Sequence, residues 1–183
     1  MKFTETKLPG VYLLEPKVFG DNRGFFMETY NEQVFEKMGL RFDFIQDNHS
    51  LSVPTGTLRG LHYQLAPKAQ TKLVRCLRGA IYDVAVDIRK GSPTYGQWVG
   101  YILSEQNKRQ LLVPKGFAHG FCTLVDHTEV AYKVDEYYSP ENDRGILWKD
   151  RDLGIEWSTT EPILSEKDKH HPTLKEADNN FEF

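Results

Sequence analysis

Between Lys72 and Val134 the chain reads as one short β-strand after another, and this rhythm narrows the folds open to it more than any other feature. In "IYDVAVDIR" the residues Tyr82, Val84, Val86 and Ile88 fall on one face and Asp83, Ala85 and Asp87 on the other, the period of two expected of a half-buried strand. "KLVRCLR" precedes it across Gly79 and Ala80, a spacing that predicts a hairpin. The runs "QWVGYIL", "RQLLVP", "GFCTLV" and "EVAYKV" follow, broken by Gly, Pro, Ser and Asp. The best helical signal is "NEQVFEKMGL", where Asn31 can cap the first-turn amides and Gly39 can take the left-handed conformation that ends a helix. The expected fold is therefore all-β, an antiparallel sandwich or barrel with a few short peripheral helices. Such a barrel can hold a ligand at its open mouth, where inward polar side chains converge.

No repeat, low-complexity tract or linker divides the 183 residues, so a single domain over 1–183 is expected, with the terminal 173–183 loosely packed. The 39% hydrophobic and 27% charged residues are those of an ordinary globular protein. A formal charge of -3 argues against a broad nucleic-acid surface. The start "MKFTETKLPG" has neither a signal-peptide pattern nor a long apolar run, and only Cys76 and Cys122 occur. The expectation is a cytoplasmic protein with reduced thiols and no membrane partner.

Two histidines beside glycine, in "RGLHYQL" and "VPKGFAHGF", raise the question of a metal. Pro114 to His119 has the P-x-G-x-x-H spacing of the second motif of the cupins, a jelly-roll family. Metal-binding cupins also carry H-x-H and a following glutamate, whereas His62-Tyr63-Gln64 has glutamine at the second histidine and "LAPKAQTK" offers no glutamate. Two histidines fall short of the three protein ligands usual for a catalytic site, so no metal is expected. His170-His171, in a polar stretch before Pro172, is expected to be solvated surface.

The company of His62 suggests proton chemistry instead. Arg59, Lys72, Tyr132 and Asp168 could meet His62 in one mouth. An imidazole can remove a proton near neutral pH, a carboxylate can stabilise the imidazolium, a cation can stabilise an enolate, and a phenol can return a proton elsewhere. Each has an ordinary alternative: Arg59 and Lys72 as surface charges, Tyr132 as core, Asp168 as a helix cap.

Over a longer span, "FGDNRGFFMETYN", "FIQDNHS", "LRGLHYQ", "KLVRCLRGAIYDVAVDIRKGSPTYGQWVG", "VPKGFAHGF", "YKVDEYYSPENDRGILWKD", "LGIEW" and "LSEKDKHHPTL" resemble, in order, the dTDP-4-dehydrorhamnose 3,5-epimerases of the cupin superfamily. The resemblance implies a homodimeric jelly roll without cofactor that epimerises dTDP-4-dehydro-6-deoxy-D-glucose at C3 and C5 on the route to dTDP-L-rhamnose. By position it implies His62 as base, Asp168 as its partner carboxylate, Tyr132 as acid and Lys72 as the cation near the ketone. Arg59, Lys72 and His119 match binding positions near the sugar and diphosphate. Arg23, Glu28, Gln46 and Asn48 match nucleotide-binding positions, with Phe26 and Tyr138 as stacking surfaces for the base. Lys167 and Asp143 also match binding positions, although glutamate is usual where Asp143 stands. The competing readings are a 3- or 5-mono-epimerase of another deoxysugar nucleotide, a metal-dependent cupin oxygenase, and a non-catalytic sugar-binding cupin.

Overall fold

The computed structural model describes residues Met1–Phe183. Its strands are β1 (Lys2–Glu5), β2 (Tyr12–Glu15), β3 (Val18–Asp21) and β4 (Gly24–Met27), followed by helix α1 (Glu32–Lys37). Then come β5 (Gln46–Ser52), β6 (Leu58–Gln64), β7 (Lys72–Arg78), β8 (Ala80–Asp87), β9 (Trp98–Ser104), β10 (Gln110–Val113), β11 (Phe117–Thr123), β12 (Thr128–Val134), β13 (Asp143–Gly145) and helix α2 (Glu166–Lys169). They form a six-stranded sheet in the order β1-β2-β10-β7-β12-β5, a five-stranded sheet in the order β13-β6-β11-β8-β9, and a separate β3-β4 hairpin. The all-β expectation holds, and the two sheets are not joined by hydrogen bonds into one cylinder. The result is a two-sheet jelly roll.

The expected hairpin between "KLVRCLR" and "IYDVAVDIR" does not form. β7 pairs with β10 and β12, while β8 pairs with β11 and β9 in the other sheet. The chain changes sheet at Gly79, whose φ is +78° and where a Cβ would meet Thr128 Oγ1 at 2.6 Å. A two-residue break suits a hairpin, but it serves equally well to step between layers when both strands find better neighbours. The expected helix is present, with Asn31 accepting a hydrogen bond from the Val34 amide and Gly39 at φ +75°.

Both faces of β8 are buried, not one. Ile81 and Ala85 enter the cluster between the sheets with Val74, Leu111, Val113 and Val130. Val84 and Val86 lie in a second cluster on the outer face, with Leu61, Tyr63, Leu153 and Leu174. That second cluster also corrects the expectation of a loose C-terminal segment. Leu174 is part of it and Phe181 packs against it, Asn179 donates a side-chain hydrogen bond to Ile88 O, and the Lys90 amide donates to Phe181 O at 2.9 Å. Residues that read as polar in sequence are held because the apolar outer face of β6 and β8 requires cover. A third cluster seats Phe35 of α1 on Leu14, Leu73 and Leu112. Cys76 and Cys122 are free and buried.

One irregularity positions the site. β6 and β11 lose register between His119 and Phe121, where Gly60 and Gly120 cross. A Cβ on Gly60 would stand 2.6 Å from Gly120 Cα and 2.7 Å from His119 O, and one on Gly120 would stand 2.9 Å from Arg59 O. Gly60 also has φ +126°, where side chains are strained. Strict alternation would send Arg59 and His62, three residues apart, to opposite faces. The bulge lets both line the same cavity. Gly60→Ala is expected to lower the unfolding free energy by about 2 kcal/mol or more. Gly20→Ala, whose Cβ would meet only Gly24 O at 3.6 Å, should stay within about 0.5 kcal/mol. Urea midpoints of the two variants check this, and equal midpoints would show that the crossing is not a steric constraint.

Candidate active site

A cavity of about 450 Å³ opens between the sheets, lined among others by Arg59, His62, His119, Lys72, Tyr132, Lys167 and Asp168. The five-stranded sheet supplies Arg59 and His62 from β6 and His119 from β11, with His119 directly opposite His62 in register. The six-stranded sheet supplies Lys72 from β7 and Tyr132 from β12. Imidazole and phenol thus approach the cavity from opposing layers. Lys167 and Asp168 come from α2, which is capped by Ser165, whose side chain accepts a hydrogen bond from the Asp168 amide.

His62 Nε2 lies 2.5 Å from Asp168 Oδ1, a contact 106 positions apart in sequence. Asp168 is 2% exposed. Burial works to raise its pKa, but hydrogen bonds from His171 and His62 outweigh that and hold the carboxyl below its usual range. Burial pushes the His62 imidazole below 6.5 against the attraction of Asp168, with Lys72 and Lys167 pushing the same way. Both effects favour the neutral imidazole, and beside an ionised Asp168 the ring nitrogen in contact is the one that carries the proton, which leaves Nδ1 as the acceptor.

His171 corrects the expectation of a solvated His170-His171 pair. His170 is exposed, but the His171 side chain is only 9% exposed and its Nε2 is 3.3 Å from the same Asp168 oxygen. Its ring stands edge-on to His62, centroids 5.5 Å apart. It rests on Gly145 of β13, where any Cβ would overlap it. Sequence reasoning missed this residue because its neighbours are polar and its burial comes from the chain turning back over the sheet.

Lys72 faces the cavity from the opposite sheet. Burial pulls its ammonium down to about 8, with Asp143 and Asp83 opposing. Burial raises the Tyr132 phenol, keeping it a proton donor. Asp83, read from sequence only as the polar side of a strand, is fully buried with Oδ1 2.8 Å from His119 Nε2. Arg59 donates to Ser52 Oγ at 3.1 Å and Leu51 O at 3.3 Å, which fixes its guanidinium at the mouth.

The remaining expected residues lie around this centre. On the rim, Asp143 accepts hydrogen bonds from Lys167 Nζ and from the Tyr138 hydroxyl at 3.1 Å. Asn48 lines a neighbouring depression that shares Tyr132, and it accepts from the Gln46 side chain at 2.8 Å. Arg23 and Phe26 sit on the exposed β3-β4 hairpin, Arg23 paired with Asp21 at its tip. Glu28, just beyond it, accepts from the Asn31 side chain at 3.0 Å. None of these three lines the cavity of His62.

The metal set of the cupins is not assembled. The Gln64 amide donates to Lys68 O and Tyr137 O, at 2.6 and 3.1 Å, and accepts from the Ser139 amide at 2.9 Å. It is a strut under the loop after β12, its amide taken up on both ends, and His119 is engaged by Asp83.

The family model described as dTDP-4-dehydrorhamnose 3,5-epimerase matches residues 5–176. The dTDP-4-dehydrorhamnose 3,5-epimerase of Shigella flexneri is 56% identical over 179 residues, covering 97% of this chain and 98% of that protein. The crystal structure of the Bacillus anthracis enzyme with TDP and pyrophosphate bound superposes with a TM-score of 0.92 at 61% identity, covering 94% of this chain and 98% of that one. A Legionella pneumophila epimerase in complex with dTDP-4-keto-L-rhamnose gives 0.92 at 46% identity, covering 97% and 94%.

Two expectations follow from the electrostatics. The pH profile of kcat/KM, which reports the free protein, should be bell-shaped, with its acid limb below 6.5 as His62 protonates and its alkaline limb near 8 as Lys72 loses its proton. Lys72→Arg, which stays charged, should abolish the limb near 8; an unchanged limb would assign it to another group. Asp168→Asn should keep KM within a few-fold while kcat falls by about 100-fold or more, because the hydrogen bond survives and the charge does not. Near-normal turnover would reduce Asp168 to a helix residue.

Proposed function

The chain belongs to the dTDP-4-dehydrorhamnose 3,5-epimerase family, and from that premise we propose how its own residues epimerise dTDP-4-dehydro-6-deoxy-D-glucose at C3 and C5 in dTDP-rhamnose biosynthesis. The observation that carries the assignment is the opposition of His62 and Tyr132 across one cavity, with Lys72 between the layers. The C4 ketone acidifies the hydrogens on both neighbouring carbons, since the carbanion delocalises onto oxygen. His62 Nδ1 takes the proton, and the imidazolium is stabilised by Asp168. The negative charge on O4 is met by the Lys72 ammonium, preorganised in a half-buried position. Tyr132 returns a proton to the other face of the enolate, and the configuration inverts.

Arg59, His119 and Lys167 bind the sugar and diphosphate, a task that suits a bidentate guanidinium and a point ammonium in a protein of net negative charge. Tyr138, oriented by Asp143, offers a stacking face to the base, and Asn48, paired with Tyr132, offers an amide there with Gln46 hydrogen-bonded behind it. The protein works as a homodimer. The exposed apolar residues Val18, Phe19, Phe25 and Phe26 of the β3-β4 hairpin are the surface that a second copy would cover, bringing Arg23, Phe26 and Glu28 to the nucleotide. No cofactor, nucleic acid or membrane takes part, and the protein is cytoplasmic. No helix is long and apolar enough to cross a membrane.

Incubation of the 4-keto sugar nucleotide in deuterated water, with product stereochemistry read by NMR, tests the reaction. Tyr132→Phe separates its two halves. It removes the donor and leaves base and cation, so deuterium should still wash into at least one of C3 and C5 while epimerisation falls by about 100-fold or more. Equal loss of exchange and epimerisation would end the assignment of Tyr132 as the acid.

A further inference from the structure

We propose that His62, Asp168 and His171 form a binding site for a divalent zinc-like ion, and that occupying it switches the enzyme off. This rests on His62 being the base. His62 Nε2 and His171 Nε2 both point at Asp168 Oδ1, at 2.5 and 3.3 Å, and the three ligand atoms lie within 4.8 Å of one another. Two imidazoles and one carboxylate are a donor set that suits borderline ions such as Zn²⁺, and three protein ligands leave a coordination position open.

The surroundings prepare this set. Asp168 is buried and the His171 side chain, 9% exposed, is held against Gly145, so two of the three ligands are placed before any ion arrives. His62, with its side chain 31% exposed, faces the cavity and is free to swing back by the roughly 0.8 Å that separates its 2.5 Å contact from the spacing of about 3.3 Å between two ligands on one tetrahedral ion. The cavity supplies the access route. Gly145 has no side chain, which leaves the His171 ring the space it occupies beside Asp168.

Inhibition follows from the proton count of a neutral imidazole. In the free protein the single ring proton of His62 is on Nε2, donated to Asp168, and the Nδ1 lone pair is the base. A metal at Nε2 needs that lone pair, so the proton moves to Nδ1. The ring then presents a donor where the substrate needs an acceptor, and Asp168 is spent on the ion. His171 undergoes the same tautomer change without consequence for the substrate. The ion is thus no cofactor, and removing it restores the base.

The test uses the full-length protein, stripped with chelator, exchanged into non-coordinating buffer and titrated with ZnCl₂. Equilibrium dialysis should find one Zn²⁺ per chain, the epimerisation rate should fall in step with occupancy, and chelator should restore it. Co²⁺ in place of Zn²⁺ should give the intense visible absorption of a low-coordinate nitrogen and oxygen site. His171→Asn should weaken binding by about 100-fold or more, beyond the effect of losing an outer contact, with each rate referred to the variant's own zinc-free rate. His170→Asn, at the exposed neighbour, should leave the affinity unchanged; a loss of binding there would move the site to the surface and overturn the proposal. Failure of active protein to bind Zn²⁺, or binding indifferent to His171, would equally overturn it while leaving His62 as base. Binding that needs His171 yet spares the rate would keep the metal site, overturn the inhibition and remove His62 as base. A thermal melt matching the wild type establishes that His171→Asn is folded.

Discussion

Gly60 and Gly120 pass so closely that neither can carry a Cβ, and the chemistry of the mouth depends on that crossing. A strand with strict alternation presents every second side chain to the interior, which would give the cavity either Arg59 or His62 but not both. The register shift at the crossing inserts the extra step. It also keeps His119 directly opposite His62, so a guanidinium and two imidazoles converge from neighbouring strands. A bulge is a local loss of pairing, and the tight backbone approach at the two glycines confines that loss to one point.

Around this crossing the protein gathers several ionisable side chains. Two imidazole–carboxylate pairs, His62 with Asp168 and His119 with Asp83, lie on the five-stranded side, and Lys72 faces them from the other sheet. Burying such groups singly would be costly, and each is compensated by another. Asp83 Oδ2 has no hydrogen-bond partner, yet the charge of Asp83 counteracts the desolvation of Lys72. The cavity thus holds a cation near its neutralisation point beside a histidine whose pKa is depressed. That pairing leaves a neutral imidazole and an ammonium together in one pH window, as the proposed base and electrophile require.

The strands were legible because period two is a local property, and β8 to β12 read correctly from alternation and punctuation. What alternation could not give was the layer. β7 and β8 look like a hairpin, and only the competition with β10, β12, β11 and β9 sends them to different sheets. Nor could it show that β8 is covered twice, since the covering residues Leu153, Leu174 and Phe181 come from a polar stretch far along the chain. The site divides the same way. His62 stands out beside glycines, Asp168 and Tyr132 are candidates for its company from their chemistry, and only resemblance to a family gives them their places and roles. His171 and Asp83 carried no local signal, because their significance lies in contacts 3 and 36 positions away that burial alone makes meaningful.

In the proposed mechanism one base and one acid suffice for two carbons because of the shape of the sugar. In the gluco-configured chair the hydrogens on C3 and C5 are both axial on the same face, and both carbons flank the C4 ketone. A base on one side of the ring can therefore reach either hydrogen after a small shift of the substrate, and each enolate places its negative charge on the same oxygen. A single ammonium at that oxygen serves both steps. The opposite face needs only a proton donor that stays protonated, and the Tyr132 phenol, raised by burial, suits the part proposed for it. Two facing sheets are suited to that arrangement: β6 presents His62 from one layer, and β7 and β12 present Lys72 and Tyr132 from the other.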